Sequence, residues 1–167
     1  MKMRFSVDTL GCKINQSESD FIVEELLEKG LEAVSWSKHP DFCIINTCTV
    51  TSRSDRKARQ IIRKIKSQNK NSKIIVTGCF VVFNKKFLRD CDIDLIVENK
   101  DKNKIPYLIG RMAADRKDLD LKSFDFKSCP QFNQMHSRPL VKIQDGCEQN
   151  CTYCIVPKVR GKYRSIP

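Results

Sequence analysis

The chain has 167 residues, a formal charge of +11 and nine cysteines, with a pI near 9.3. That length holds one domain and a little more. Its apolar runs fall short of the ~20 residues that span a bilayer, and the opening MKMRFSVDTLGCK lacks the apolar core of a secretory signal. These features predict a cytoplasmic protein with reduced cysteines, no membrane contact and a polyanionic partner for its basic surface.

Residues 3–8, MRFSVD, predict a short strand, and 15–29 an amphipathic helix with Phe21, Ile22, Leu26 and Leu27 on one face. Asn15 stands where a cap would, with Glu18 three residues on and Gly30 at the stop. A brief strand near 31–36 precedes 42–45, FCII, which is apolar on both faces like a buried parallel strand. Residues 52–70 predict a long helix with Ala58, Ile61, Ile62 and Ile65 inward. Then come a second apolar strand at 74–76, a short helix at 81–90, a last strand at 93–97 and a final helix at 101–112. This alternation predicts an α/β fold, an open parallel sheet with helices on both faces. The link 37–41 is short for a crossover, which makes strand two a stubby edge. From 113 to 137 the apolar rhythm fades into a linker, and 140–143, LVKI, predicts a new strand. The organisation is thus a first domain at 1–112, a linker at 113–137 and the start of a second unit at 138–167.

That second unit leads into IQDGCEQNCTYCIVPKVR, where Cys147, Cys151 and Cys154 follow the spacing C-x3-C-x2-C with Tyr153 before the last. Three thiolates this close can converge on one soft metal centre. A structural zinc site usually closes with four ligands, and the next cysteine, Cys129, lies eighteen residues before Cys147. Three protein ligands would leave a position open on such a centre, as in metal sites that bind substrate.

A second trio follows the strands. Cys12 comes after the first, in LGCKINQSES, Cys48 after the third, in IINTCTVT, and Cys79 after the fourth, in IVTGCF. The carboxyl ends of parallel strands share one edge, and ligands bind there. In the order 2-1-3-4-5, strands one, three and four are neighbours ~4.8 Å apart, so the three thiols come within reach of one cluster. Gly11 and Gly78 permit the tight turns such loops need. Free cysteine also simply packs, and position alone leaves both readings open for this trio. Cys43, inside a strand, and Cys91 fit packing, and Cys129 has no assigned role. His39 and His136 sit at no fixed offset from a motif cysteine and read as surface or packing residues; Asp145 and Gly146 read as loop-shaping.

Together TLGCKINQSES, INTCTVTSRSDRKARQ, VTGC and IQDGCEQNCTYCIVPKVRG resemble the methylthiotransferase family of radical S-adenosylmethionine (SAM) enzymes, over residues 3–98 and 138–167. The wording is closest in kind to the branch acting on N6-threonylcarbamoyladenosine in tRNA, rather than on isopentenyladenosine or a ribosomal-protein aspartate. The resemblance implies two 4Fe–4S clusters. One sits on Cys147, Cys151 and Cys154, with Tyr153 in the same SAM-binding loop; the other sits on Cys12, Cys48 and Cys79 and holds the inserted sulfur. It also implies an electron donor, one SAM as radical source and another as methyl source. The product is a 2-methylthio adenosine at position 37, 3′ of the anticodon. The sequence departs from the family after Cys79, where Phe80-Val81-Val82 replaces the usual aromatic-Ala-Gln. The family also continues through a partial TIM-like barrel and an RNA-binding module. Residues 138–167 therefore read as a truncated radical SAM domain, and the isolated chain is expected to be inactive. Competing readings are a non-catalytic RNA- or cluster-binding module, and a methylthiotransferase for one of the other two substrates.

Residues 53–73 carry nine cations against Asp55 alone. Arg53, Arg56, Lys57, Arg59, Arg63 and Lys64 are the candidate tRNA contacts, with the salt dependence that phosphate contacts bring. The same pattern suits a solvated face whose long stems shield apolar flanks. Lys158, Arg160, Lys162 and Arg164 follow the terminal trio and are expected near cofactor or substrate.

Overall fold

The computed structural model describes residues 2–113, 140–149 and 151–165. Five parallel strands form the sheet, in the order β2-β1-β3-β4-β5. They are β1 (Arg4–Thr9), β2 (Glu32–Ala33), β3 (Phe42–Thr47), β4 (Lys73–Gly78) and β5 (Leu95–Val97). β3, at the centre, is buried along its whole length. Its period of two splits the core. Phe42 and Ile44 face Phe5, Ile22, Leu26, Ile105 and Ile109 on one side, and Cys43 and Ile45 face Ala58, Ile62, Ile65 and Phe80 on the other. The first layer is α1 (Lys13–Glu28) and α5 (Ile105–Ala113); the second is α2 (Ser52–Gln68), α3 (Phe80–Phe83) and α4 (Lys85–Asp90). The predicted strand order, the stubby edge strand and the helices on both faces are all present. Cys43 is buried as a packing residue, and burial pushes its thiol up.

Four local expectations need correction. The N-cap of α1 is Cys12, in extended conformation, and not Asn15; Asn15 lies inside the first turn, fully buried, with its amide engaged elsewhere. The predicted final helix begins as a 3₁₀ stretch, Asn99–Lys104, and turns α-helical only at Ile105. Pro106, which has no N–H to donate, fits the first turn of the α-helix there. The short helix at 81–90 is broken at Asn84 into α3 and α4; the Asn84 side chain donates to Phe80 O and Asp55. Finally, Leu140–Ile143 is not a strand. Pairing is confined to β6 (Gln144–Asp145) and β7 (Arg164–Ser165), antiparallel, because no other described strand flanks the stretch. Val141 and Ile143 are left exposed.

The predicted linker and Cys129 lie outside the described residues, apart from Ala113, the buried end of α5. Among the described residues no helix is long and apolar enough to cross a membrane. Gln144, Gly146 and α6 (Val156–Arg160), through Val156, Val159 and Arg160, lie against the carboxyl edge of the sheet. Ser17 Oγ donates to Leu140 O at 3.2 Å, and Asn99 Nδ2 donates to Val159 O at 2.8 Å.

Candidate metal centre

β1, β3 and β4 end side by side, with Thr9 opposite Asn46, Asn46 opposite Thr77 and Thr47 opposite Gly78. The next residues along each chain segment carry Cys12, Cys48 and Cys79. Two glycines let these loops close on one another. At Gly78, φ is +101° and a Cβ would lie 2.1 Å from Thr47 O; at Gly11, φ is +118° and a Cβ would lie 2.6 Å from the Cys48 Cβ. Neither position admits a side chain without displacing the neighbouring loop. Asn15 ties the same loops together, donating to Leu10 O at 2.8 Å and Thr47 O at 3.0 Å. The Cys79 N–H donates to Thr47 O at 3.1 Å. Asn46 donates to Asn15 O and Ser19 Oγ, both at 2.9 Å. Each donor satisfies a carbonyl or hydroxyl that burial would otherwise leave unpaired.

The result is one cavity of about 260 Å³, lined by Cys12, Cys48 and Cys79 together with Ile14, Val50, Gln144, Gly146, Val156, Val159 and Arg160. The described cysteines are all free thiols; Cys12 is exposed at the mouth, while Cys48 and Cys79 are 4% and 3% exposed. This volume far exceeds the ~10–15 Å³ that one water needs, and its walls are mostly apolar. Among the described residues no group of three or more His, Cys, Asp or Glu side chains is drawn in tightly enough to hold a single metal ion. A four-iron cube spreads its thiolates to separate corners, so it asks for a wider and emptier arrangement than one ion does. Three soft donors around an apolar hollow fit such a cube.

Behind Cys79 stands a buried ion network that the sequence did not reveal. Arg160 Nη1 donates to Glu18 Oε1 and Asp145 Oδ1, both at 2.8 Å, and Nη2 donates to Asn15 Oδ1 at 2.7 Å. Lys142 reaches Glu18 at 2.7 Å and Asp145 at 2.8 Å, and Lys102 donates to the other Glu18 oxygen. Burial works against the Glu18 carboxylate, but Lys102, Arg160 and Lys142 overcome it and hold its pKa at about 2. Burial likewise opposes Asp145, which Lys142 and Arg160 nevertheless keep below the usual carboxylate range. It pulls the Lys102 ammonium down despite Glu18, so the pair is tilted in opposite senses. The Glu18 shift, enforced by three cations, fixes the charge of the network. Burial pushes the Cys79 thiol up, while Arg160, the Asn99 amide at 3.6 Å and Lys102 pull the other way.

The terminal trio lies in a loop between β6 and α6. Cys151 is exposed, Cys147 and Cys154 are half-buried, and Tyr153 is 90% exposed. The Cys147 N–H donates to Gly161 O at 3.1 Å, the Cys154 N–H to Cys151 O at 3.0 Å, and the Gln149 N–H to the Cys147 sulfur at 3.4 Å. These bonds curl the loop, with three free thiols within eight residues, a donor set suited to an iron–sulfur cluster.

The basic face of α2 divides in two. Arg59 bonds Asp55 at 2.9 Å and Asn84, and its guanidinium lies over Phe80 and Phe87. Arg63 lies over Phe87 and Lys64 over Trp36. Their stems pack against the rings, with Arg59 half-buried and Arg63 and Lys64 still exposed. Arg53, Arg56 and Lys57 are exposed, in the first turns of α2 beyond the Thr51 cap.

Comparison with known proteins places this arrangement in context. Residues 4–115 match the family described as uncharacterized protein family UPF0004. The threonylcarbamoyladenosine tRNA methylthiotransferase MtaB of Aquifex aeolicus is 33% identical over 98% of this chain and 42% of its own length. That of Rickettsia prowazekii is 37% identical over 99% of this chain and 38% of its own. A tRNA-2-methylthio-N(6)-dimethylallyladenosine synthase of Natranaerobius thermophilus is 31% identical over 97% of this chain and 38% of its own. The chain thus spans roughly two fifths of the length of these curated relatives. With its parallel sheet and the match over residues 4–115, the chain belongs to the UPF0004 family, the family of the N-terminal methylthiotransferase domain.

Proposed function

We propose that this chain is the N-terminal part of a tRNA methylthiotransferase that adds a 2-methylthio group to N6-threonylcarbamoyladenosine at position 37, beside the anticodon. The observation that carries the reading is the single cavity lined by Cys12, Cys48 and Cys79, each from the end of a different strand. In this reading those three thiolates hold one 4Fe–4S cluster, and Cys147, Cys151 and Cys154 hold another in a loop that also receives SAM beside Tyr153. Bound there, the clusters would supply reductive SAM cleavage and sulfur delivery, with an outside electron donor. The apolar walls of Ile14, Val50, Val156 and Val159 keep water from the reacting sulfur, and Asn15 holds the loops that carry Cys12 and Cys48 in register. Arg53, Arg56 and Lys57, exposed in the first turns of the helix that follows Cys48, would meet tRNA phosphate. Residues 138–167 would begin a radical SAM barrel, and the protein would work in the cytoplasm.

Anaerobic reconstitution tests this directly. The expected content is about eight irons per chain, falling to about four when either cysteine trio is changed to alanine. A content unchanged by Cys12→Ala, Cys48→Ala and Cys79→Ala together would remove the first cluster from the reading. Nucleoside mass analysis of tRNA from cells lacking the gene tests the substrate. Loss of the methylthio group from threonylcarbamoyladenosine is expected, and loss from isopentenyladenosine instead would move the assignment to the other tRNA branch.

A further inference from the structure

The cavity has a floor and a roof from different parts of the chain. The floor is the strand edge with Cys12, Cys48 and Cys79; the roof is formed by Gln144, Gly146, Val156, Val159 and Arg160. The roof is short on covalent or sheet constraint: β6 and β7 pair only two residues each. What presses it onto the floor is polar. Arg160 is 8% exposed, and its fork is shared among Glu18 and Asn15 of α1 and Asp145 of the roof itself. Asn99 makes the second stitch, its amide bonding both Val159 O at 2.8 Å and the Cys79 sulfur at 3.6 Å. Lys102 and Lys142 join Arg160 on Glu18, and Lys142 joins it on Asp145.

We propose that Arg160 is a positioning residue for the three-cysteine cavity, clamping the roof over Cys79 through its fork to Glu18, Asp145 and Asn15. Lysine cannot replace it, because the three N–H bonds of one ammonium cannot present the planar fork that four oxygen atoms of Glu18, Asp145 and Asn15 share here. The inference builds on the reading of Cys12, Cys48 and Cys79 as ligands, yet its test needs neither iron nor tRNA, so the two stand or fall separately.

The test is iodoacetamide labelling of the whole reduced, iron-free chain, followed at each cysteine by peptide mass spectrometry. Cys43, fully buried in the core under α2, is the internal control for unfolding. In Arg160→Met the labelling rate of Cys79 should rise at least tenfold while that of Cys43 stays at the wild-type rate. Loss of the nearby cation would by itself slow thiolate attack, so a faster rate reports opening of the roof. Arg160→Lys should fall between the two. An unchanged rate at Cys79 in Arg160→Met refutes the clamp. If Arg160→Met also exposes Cys43, Asp145→Asn is decisive: a selective rise at Cys79 supports the clamp, and no selective rise refutes it.

Discussion

Replacing Glu18 by glutamine keeps the shape of the side chain and removes the one carboxylate that Lys102, Lys142 and Arg160 share. Its pKa of about 2, against 4.5 for a solvated glutamate, corresponds to about 3 kcal/mol of folding stability at roughly 1.4 kcal/mol per tenfold change in proton affinity. That agrees with the ~3–5 kcal/mol usually lost when one partner of a buried ion pair is removed. In urea the midpoint of the iron-free Glu18→Gln chain should lie about 1.5–2 M below wild type, for a slope of about 1.5–2 kcal/mol/M. The pH dependence carries the sharper test. A carboxylate whose folded pKa is depressed contributes its stability above the unfolded value and loses it as pH falls through the folded one. The gap between the two chains should therefore be full at pH 6, begin to shrink below about 4.5, fall to about half by pH 3, and vanish near pH 1. A gap under about 1 kcal/mol at pH 6, or one that does not narrow between pH 5 and pH 3, would refute the idea that three cations stabilise an ionised Glu18.

Gly78→Ala should destabilise the chain by more than about 2 kcal/mol in the same urea assay, through strained backbone and overpacking, because φ is +101° and the new methyl would meet Thr47 O at 2.1 Å. A loss below 0.5 kcal/mol would show that the β3 and β4 ends do not touch as described. Changing Arg53, Arg56 and Lys57 together to glutamine should weaken tRNA binding and flatten its dependence on log salt by up to about 2–3, roughly one per lost phosphate contact. Arg59→Gln should instead cost stability with little change in that slope, since Arg59 is spent on Asp55, Asn84 and two rings. Filter binding across a salt series separates the two, and an identical slope in the triple variant would remove that end of α2 from the RNA contact.

The layered sheet, and the edge on which Cys12, Cys48 and Cys79 come together, could be read from the amino-acid order alone. Runs such as FCII and IIV can only be buried on two faces, which in a βα alternation means a central parallel strand with helices above and below. Once the order of strands follows, cysteines placed just after β1, β3 and β4 must gather on one edge, and Gly11 and Gly78 mark the turns that let them do so. The sequence misplaced what depends on partners distant in the chain. Asn15 and Glu18 have the look of a local helix start, because a polar residue followed three positions later by glutamate is what a capping pair looks like. Tertiary structure diverts both, Asn15 to the carbonyls of Leu10 and Thr47 and Glu18 to cations as far away as Arg160. Lys102 sits in NKDKNK, where nothing distinguishes a buried lysine from its solvated neighbours, and only folding sets it at 3% exposure. The same holds for α2, where Arg53 and Arg59 differ in no local property; Phe87 and Asn84, brought up by the next layer, occupy one and leave the other to solvent. Periodicity and turn chemistry are written in neighbours along the chain, so they can be read there. Which cations gather on Glu18 is decided by contacts between residues more than eighty positions apart, and no local pattern encodes it.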